Sequence, residues 1–287
     1  MKLGLGKKEL KNIVAMSEEI ALKAAKILIK SQKKISKLKV CSKDTQGVAS
    51  EADFVSEALI IKELSKAFPE ASLLAEEGAF SKYGSKSEAY LEFKKKDFCF
   101  VIDPLDGTHN YLASMDYYAI CIGLVHQGKP VAGVIYRPVT DECYSAFLGG
   151  GACKKKLLTK SKPKKIFQQN SVNKLKNSML VTGFATEKGV MFDKEFTMFK
   201  NIMGSCRGVR RMGSAALDLC LVAEGIFDGF WERGLAPWDV AAAGIICQEA
   251  GVKVSDYKGA SFQPFAETVL AARNPLHKNL QKMMDIS

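Results

Sequence analysis

The feature that most narrows the fold is an apolar run that ends in two carboxylates. Phe98-Cys99-Phe100-Val101-Ile102 is followed at once by Asp103-Pro104-Leu105-Asp106-Gly107-Thr108. A short apolar run bounded by turn residues reads as a buried strand. Its acids therefore sit where an interior sheet gives way to irregular backbone. Pro104 has no N–H to offer a ladder and predicts a turn. Such a turn can aim Asp103 and Asp106 to one side with the Leu105 carbonyl between them. Gly107-Thr108 then opens a helix. Oxygen-only sets of this kind suit hard divalent cations such as Mg²⁺. The N–H groups of Gly107 and Thr108 at a helix start suit a phosphate oxygen. A capped turn would use the same residues, so this stretch alone leaves two readings open.

Three further acidic elements favour the metal reading. Glu76-Glu77 end a second predicted strand, Ser72-Leu73-Leu74-Ala75. Asp53 stands at the head of a helix predicted from about Asp53 to Phe68, with Val55, Leu59, Ile60 and Leu64 on one face and Pro69 as its stop. Asp239 follows Trp238 and opens a helix made almost wholly of Ala, Ile and Gly. Taken singly, Asp53 and Asp239 read as helix caps or first-turn acids. Four such elements in one chain point to a multi-Mg²⁺ site, because clustered acids repel and cations keep them ionised together.

Composition removes the competing chemistries. The 287 residues include eight Cys without a CxxC pair and three His, so a zinc ribbon, a thioredoxin-like motif and a disulfide scaffold are unsupported. No apolar run approaches the length of a membrane span, and no signal-peptide pattern follows the basic N-terminus. A cytoplasmic protein with reduced thiols is the expectation. The formal charge of +11 is concentrated: residues 1–40 hold 11 Lys and 3 Glu, and residues 152–176 hold 9 Lys and no acid. The rest of the chain is net acidic. Phe167 is the lone aromatic among the second group of lysines, whereas single-strand binders interleave aromatics. These stretches read as solvated surface, with weak, nonspecific RNA contact at most.

Helical spacing runs over residues 8–35, through Ile13, Met16, Ile20, Ala24, Ile27 and Leu28. Tyr117 to Phe147 reads as an antiparallel meander that Gly149-Gly150-Gly151 would end, with a Lys-rich linker after it. We therefore divide the chain into residues 1–160, an N-terminal α+β domain with most of the acids, and 161–287, a C-terminal α/β domain. In the latter, strands are predicted at Met179–Thr182, Ile226–Trp231 and Thr268–Ala272, and helices at Phe192–Met203, Ser214–Ala223 and Val240–Ala250.

With these residues in view, the chain resembles the inositol monophosphatase family. Ile102 through Tyr111 is similar to the signature WxIDPxDGTxNF. Trp238-Asp239-Val240-Ala241-Ala242-Ala243-Gly244, with Glu249-Ala250-Gly251, resembles WDxAAG…EAG. Gly213-Ser214-Ala215-Ala216 matches GSAA, and Ala75-Glu76-Glu77 the GEE element. The resemblance implies a layered α/β/α/β/α sandwich of the inositol monophosphatase and fructose-1,6-bisphosphatase type, usually a homodimer. It implies an Mg²⁺-dependent phosphomonoesterase with two to three ions per subunit, Mn²⁺ as a substitute and Li⁺ as an inhibitor. By the same resemblance, Glu76, Asp103 and the Leu105 carbonyl bind one ion, and Asp103, Asp106 and Asp239 a second. Thr108 and Asp53, with Glu76, activate water; Gly107 and Thr108 amides hold phosphate; Glu232, Ala215 and Asp239 contact the substrate. The expected substrate is a small polyol or sugar phosphate like inositol monophosphate. Fructose 1,6-bisphosphate, histidinol phosphate and 3′-phosphoadenosine 5′-phosphate are alternatives, as is a phosphatase-fold factor that binds RNA or a partner. Ala75 for Gly, Tyr111 for Phe and a longer charged stretch at 80–97 depart from the family pattern.

Overall fold

The computed structural model describes residues 3–43, 47–83, 91–167, 172–184 and 189–284. The chain begins with helix α1 (Lys7–Gln32), a hairpin of β1 (Val40–Lys43) and β2 (Gly47–Ser50), and α2 (Glu51–Ala67). Strand β3 (Ser72–Ala75) passes directly into α3 (Glu76–Tyr83), so Glu76 and Glu77 open a helix where irregular backbone was expected. After α4 (Leu91–Lys94) come β4 (Cys99–Asp106), α5 (Thr108–Leu112), β5 (Ala119–His126), β6 (Lys129–Arg137) and β7 (Glu142–Phe147). The charged stretch at 80–97 falls on α3, α4 and their flanks, with 84–90 outside the described residues.

The meander continues past the glycine triplet. Gly149 and Gly151 take positive φ and turn the chain into β8 (Gly151–Lys155), and β9 (Lys164–Ile166) follows. Part of the expected lysine linker is therefore sheet. Lys154 ties β8 to Glu142 (2.6 Å) and Glu224 (3.0 Å), and Lys155 reaches Glu18 of α1 (2.5 Å). Lys156, Lys160, Lys162, Lys164 and Lys165 are exposed.

The second half comprises β10 (Met179–Thr182), α6 (Val190–Ser205), β11 (Gly208–Arg210), α7 (Ala215–Glu224), β12 (Gly229–Arg233), α8 (Pro237–Glu249), β13 (Lys253–Ser255), β14 (Thr268–Ala272) and α9 (Leu276–Gln281). Strand β12 starts three residues later than its apolar run suggests. Gly225 caps α7 in the left-handed region, and the Ile226 N–H returns to the Leu221 carbonyl, so Ile226 belongs to the helix stop.

Seven strands form one sheet in the order β3-β4-β5-β6-β7-β8-β9, and five form another in the order β11-β10-β12-β14-β13. Alternation along each strand assigns the layers. Phe100, Ile102, Ile120, Ile122 and Val134 face α1 and α2, while Cys121 and Ile135 face α7 and α8. From the five-stranded sheet, Val181, Phe230 and Ala271 meet the same two helices, and Leu180, Trp231 and Leu270 pack on α6 and α9. The result is the α/β/α/β/α sandwich.

The close approach of α8 to the larger sheet depends on missing side chains. Gly123 and Gly133 are cross-strand partners on β5 and β6. A Cβ on Gly133 would lie 2.6 Å from the Ala242 carbonyl oxygen and 2.7 Å from its Cα. Backbone cannot step aside as a side-chain tip can. Gly133→Ala is therefore expected to destabilise the fold by about 1–3 kcal/mol, the scale of core overpacking, read as a lower urea midpoint at unchanged slope.

Candidate active site

Residues 103 and 106 on an ideal strand would point to opposite faces. The structure resolves this with a bulge: Asp103 pairs with Cys121 and Asp106 with Ala119, so β4 spends three steps where β5 spends two. The extra residue turns both acids to one side, while Leu105 is buried against α1 and α2. The strand thus continues through Pro104 to Asp106, and the turn anticipated at Pro104 is a bulge within the ladder. From α8, Asp239 completes the group. Single carboxylate oxygens of Asp103, Asp106 and Asp239 all lie within 4.8 Å of one another.

Each acid is anchored by its own backbone neighbourhood. The Leu105 N–H donates to Asp103 Oδ1 (2.8 Å), and the Ala236 N–H to Asp239 Oδ2 (2.7 Å). Asp106 Oδ2 accepts from Ser214 Oγ (2.5 Å) and the Ala216 N–H (3.0 Å). Asp53 Oδ2 accepts from the Ser50 N–H (2.8 Å), and its Oδ1 from the Thr108 hydroxyl (3.1 Å). For Asp53 and Asp239 the capping and site readings are compatible: one oxygen caps its helix and the other remains for the site. Glu76 stands outside the trio, but its negative charge acts on all three members.

Burial, then the charges of Glu76, Asp106 and Asp239, hold the Asp103 carboxyl far above the usual range. Asp239 is raised by enclosure and by Asp106 and Glu76. Asp106 rises to about 6 through burial, although hydrogen bonds from Ser214 and Ala216 pull it down. Acids that repel one another in a buried cluster have the chemistry of a hard-cation site. The donor set therefore fits Mg²⁺.

Gly107 takes φ 92°, and a Cβ there would meet the Tyr117 carbonyl oxygen at 3.0 Å and that of Gly213 at 3.2 Å. Glycine alone meets both demands, and it lets Thr108 start α5 beside Asp53. Beyond the trio lies a pocket of about 220 Å³, walled by Gly183, Arg211, Ala215, Asp218, Glu232 and Asp239 among others. Enclosure and the charges of Asp218, Asp239 and Asp106 raise Glu232, and Arg211 opposes them. All the residues proposed from sequence therefore lie at or beside the trio and its pocket.

Sequence reasoning passed over two acids. Glu57, one turn after Asp53, accepts the N–H groups of Glu77 (2.7 Å) and Gly78 (2.8 Å), which fixes the start of α3 and with it Glu76. Asp218 lies in the pocket wall, where burial pushes it up to about 8 despite a hydrogen bond from Tyr117. Its available signal was a solitary acid in the apolar helix Ala215-Ala216-Leu217-Asp218-Leu219-Cys220.

A five-layer sandwich with an acidic small-molecule pocket at the seam of its two sheets is the class these features define. The family model described as "Inositol monophosphatase family" matches residues 9–285, and the chain belongs to that family. Inositol-1-monophosphatase of Rhizobium meliloti is 34% identical over 268 residues, 93% of each chain. Nus factor SuhB of Pasteurella multocida is 33% identical over 264 residues, 92% of each. Among solved structures, extragenic suppressor protein suhB of Bartonella henselae superposes with a TM-score of 0.82 at 31% identity, over 96% of this chain and 98% of that one. Inositol monophosphatase from Anabaena gives 0.76 at 31%, over 96% of each. Among the described residues no helix is long and apolar enough to cross a membrane.

The repulsion has a measurable consequence. A carboxyl raised in the folded state costs stability once pH exceeds its unfolded value, because folding then opposes ionisation. Asp103→Asn removes that cost and keeps an oxygen for the Leu105 N–H. In chelator at pH 8 the variant should melt above the parent protein. Saturating Mg²⁺ should reverse the order, adding about 2.7 kcal/mol to the parent at a hundred times Kd and little to the variant.

Proposed function

We propose that this protein is an Mg²⁺-dependent phosphomonoesterase acting on a small polyol phosphate of the inositol monophosphate type. The observation that carries the reading is the carboxylate trio placed next to the Thr108–Asp53 hydrogen bond and the Glu232 pocket. Asp103, Asp106 and Asp239, with Glu76 and the Leu105 carbonyl, would hold two to three ions. When bound, such ions neutralise charge on phosphoryl oxygens and acidify water.

The chain's own groups do the rest. Thr108 Oγ1 donates to Asp53 Oδ1 (3.1 Å), with the Leu105 carbonyl at 3.0 Å as a second acceptor; it can take a proton from a water as its own proton passes to the Asp53 carboxylate. Asp53, held by Ser50, keeps that hydroxyl aimed. Gly107 and Thr108 amides would hold the phosphate in line with the attacking water. Glu232, Ala215 and Asp239 would contact the alcohol that leaves. The same resemblance carries a homodimer and Li⁺ inhibition into this reading. Nucleic-acid contact ranks second, because Lys154 and Lys155 are already committed to carboxylates and Phe167 is the lone aromatic of that stretch.

Phosphate release from inositol 1-phosphate, fructose 1,6-bisphosphate, histidinol phosphate and 3′-phosphoadenosine 5′-phosphate tests the assignment. Inositol 1-phosphate should give the highest kcat/KM; EDTA should abolish turnover and Mg²⁺ restore it. Full turnover in excess chelator would reject the reading.

A second measurement addresses the water. Thr108→Ala should lower kcat by about 10²–10⁴, the scale of general-base help, with little change in the Mg²⁺ concentration needed. Thr108→Ser should retain much of the rate. Equal, severe losses in both would make Thr108 a packing residue.

A further inference from the structure

Asp218 is a buried acid that neither the metal set nor the water-activating pair uses. It sits on α7, one turn after Ser214, and is 2% exposed, yet its side chain lines the pocket that also holds Glu232. Tyr117 OH donates to Asp218 Oδ1 at 2.7 Å. Among the described residues, no hydrogen bond is recorded to its other oxygen, Oδ2. Tyr117 is itself fixed, with the Arg137 guanidinium 5.2 Å from its ring centre and Arg137 paired to Asp116 and Glu142. Tyr117 thus fixes one oxygen of a carboxyl group that belongs to the pocket wall.

Asp218 occupies one position in the pocket wall and Glu232 another, and Gly183 makes room for Glu232: a Cβ on Gly183 would overlap its carboxylate. Two carboxyl groups in a small pocket beside the reaction centre form a pair of hydrogen-bonding partners. Their natural complements are two hydroxyls on one carbon framework, since a hydroxyl both donates and accepts.

We propose that Asp218 is a specificity residue that hydrogen-bonds a hydroxyl of the leaving alcohol alongside Glu232, so that the site selects monophosphates of alcohols with neighbouring hydroxyls over phosphates of bare alcohols. This rests on the phosphomonoesterase reading above and names the chemical feature of the substrate. Tyr117 is the positioning residue behind Asp218. The site rejects a substrate without hydroxyls because its two carboxyl groups then lose their hydrogen-bond partners.

The test compares inositol 1-phosphate with cyclohexyl phosphate, which has the same ring and no hydroxyls, in the Mg²⁺-loaded full chain. The parent enzyme should prefer inositol 1-phosphate by about a hundredfold or more in kcat/KM. Asp218→Ala should reduce that preference roughly tenfold, the size of one hydrogen bond, through KM for inositol 1-phosphate. Asp218→Asn keeps an acceptor oxygen and should lose less. Tyr117→Phe frees the carboxyl group and should fall between Asn and the parent. Asp218→Asn and Tyr117→Phe still decide the matter if Asp218→Ala does not fold. An active enzyme whose preference ratio is unchanged in all three variants overturns this assignment and leaves the phosphatase reading standing. Equal losses on both esters would likewise overturn it, as the mark of a structural role. Failure of the parent enzyme to release phosphate from either ester would reject the phosphatase reading itself, and this assignment with it.

Discussion

Mutual repulsion among Asp103, Asp106 and Asp239 is the constraint around which the rest is arranged. Three carboxylates within 4.8 Å in a buried setting would separate if their backbone anchors let them. Each is therefore tied by a separate device: the N–H after a bulge, the start of α7, the start of α8. These anchors come from the larger sheet and from two helices of the layer packed on it, so the site holds together only when those two layers close. The fold supplies the rigidity, and the acids supply an unmet demand for positive charge.

Small residues make that closure tight. Gly123 and Gly133 let α8 descend on the larger sheet, and its Ala241-Ala242 face leaves little between the two backbones. That descent brings Asp239 to Asp103 and Asp106. Gly107 allows the turn that starts α5, and Gly183 leaves space for Glu232. The alanine and glycine content of these segments is thus a geometric requirement of the site as much as of the core.

Much of this was legible before folding. The strand ending in Asp103, the helix opening at Asp239 and the acids at 53 and 76 announce themselves, because local signals (apolar runs, helix caps) mark their places. The bulge at Pro104 was read as a turn, since one extra residue in a ladder leaves no trace until its partner strand is known. The strands β8 and β9 were missed for a related reason: lysines at an alternating edge look like a linker when their partners Glu142, Glu224 and Glu18 are far along the chain. Glu57 and Asp218 carried no motif, only isolation within helical segments.

What the amino-acid order determined by itself is therefore the inventory: which elements form, which acids stand at their ends, and that those acids want a hard cation. Periodicity and capping are local, so they survive in one dimension. What only the tertiary structure decided is who meets whom. The pairing of Asp53 with Thr108, the hold of Glu57 on α3, and the aim of Asp218 from Tyr117 all join residues 20 to 101 positions apart. Contacts of that range depend on the stacking of whole layers, and no local pattern encodes the distance between two sheets.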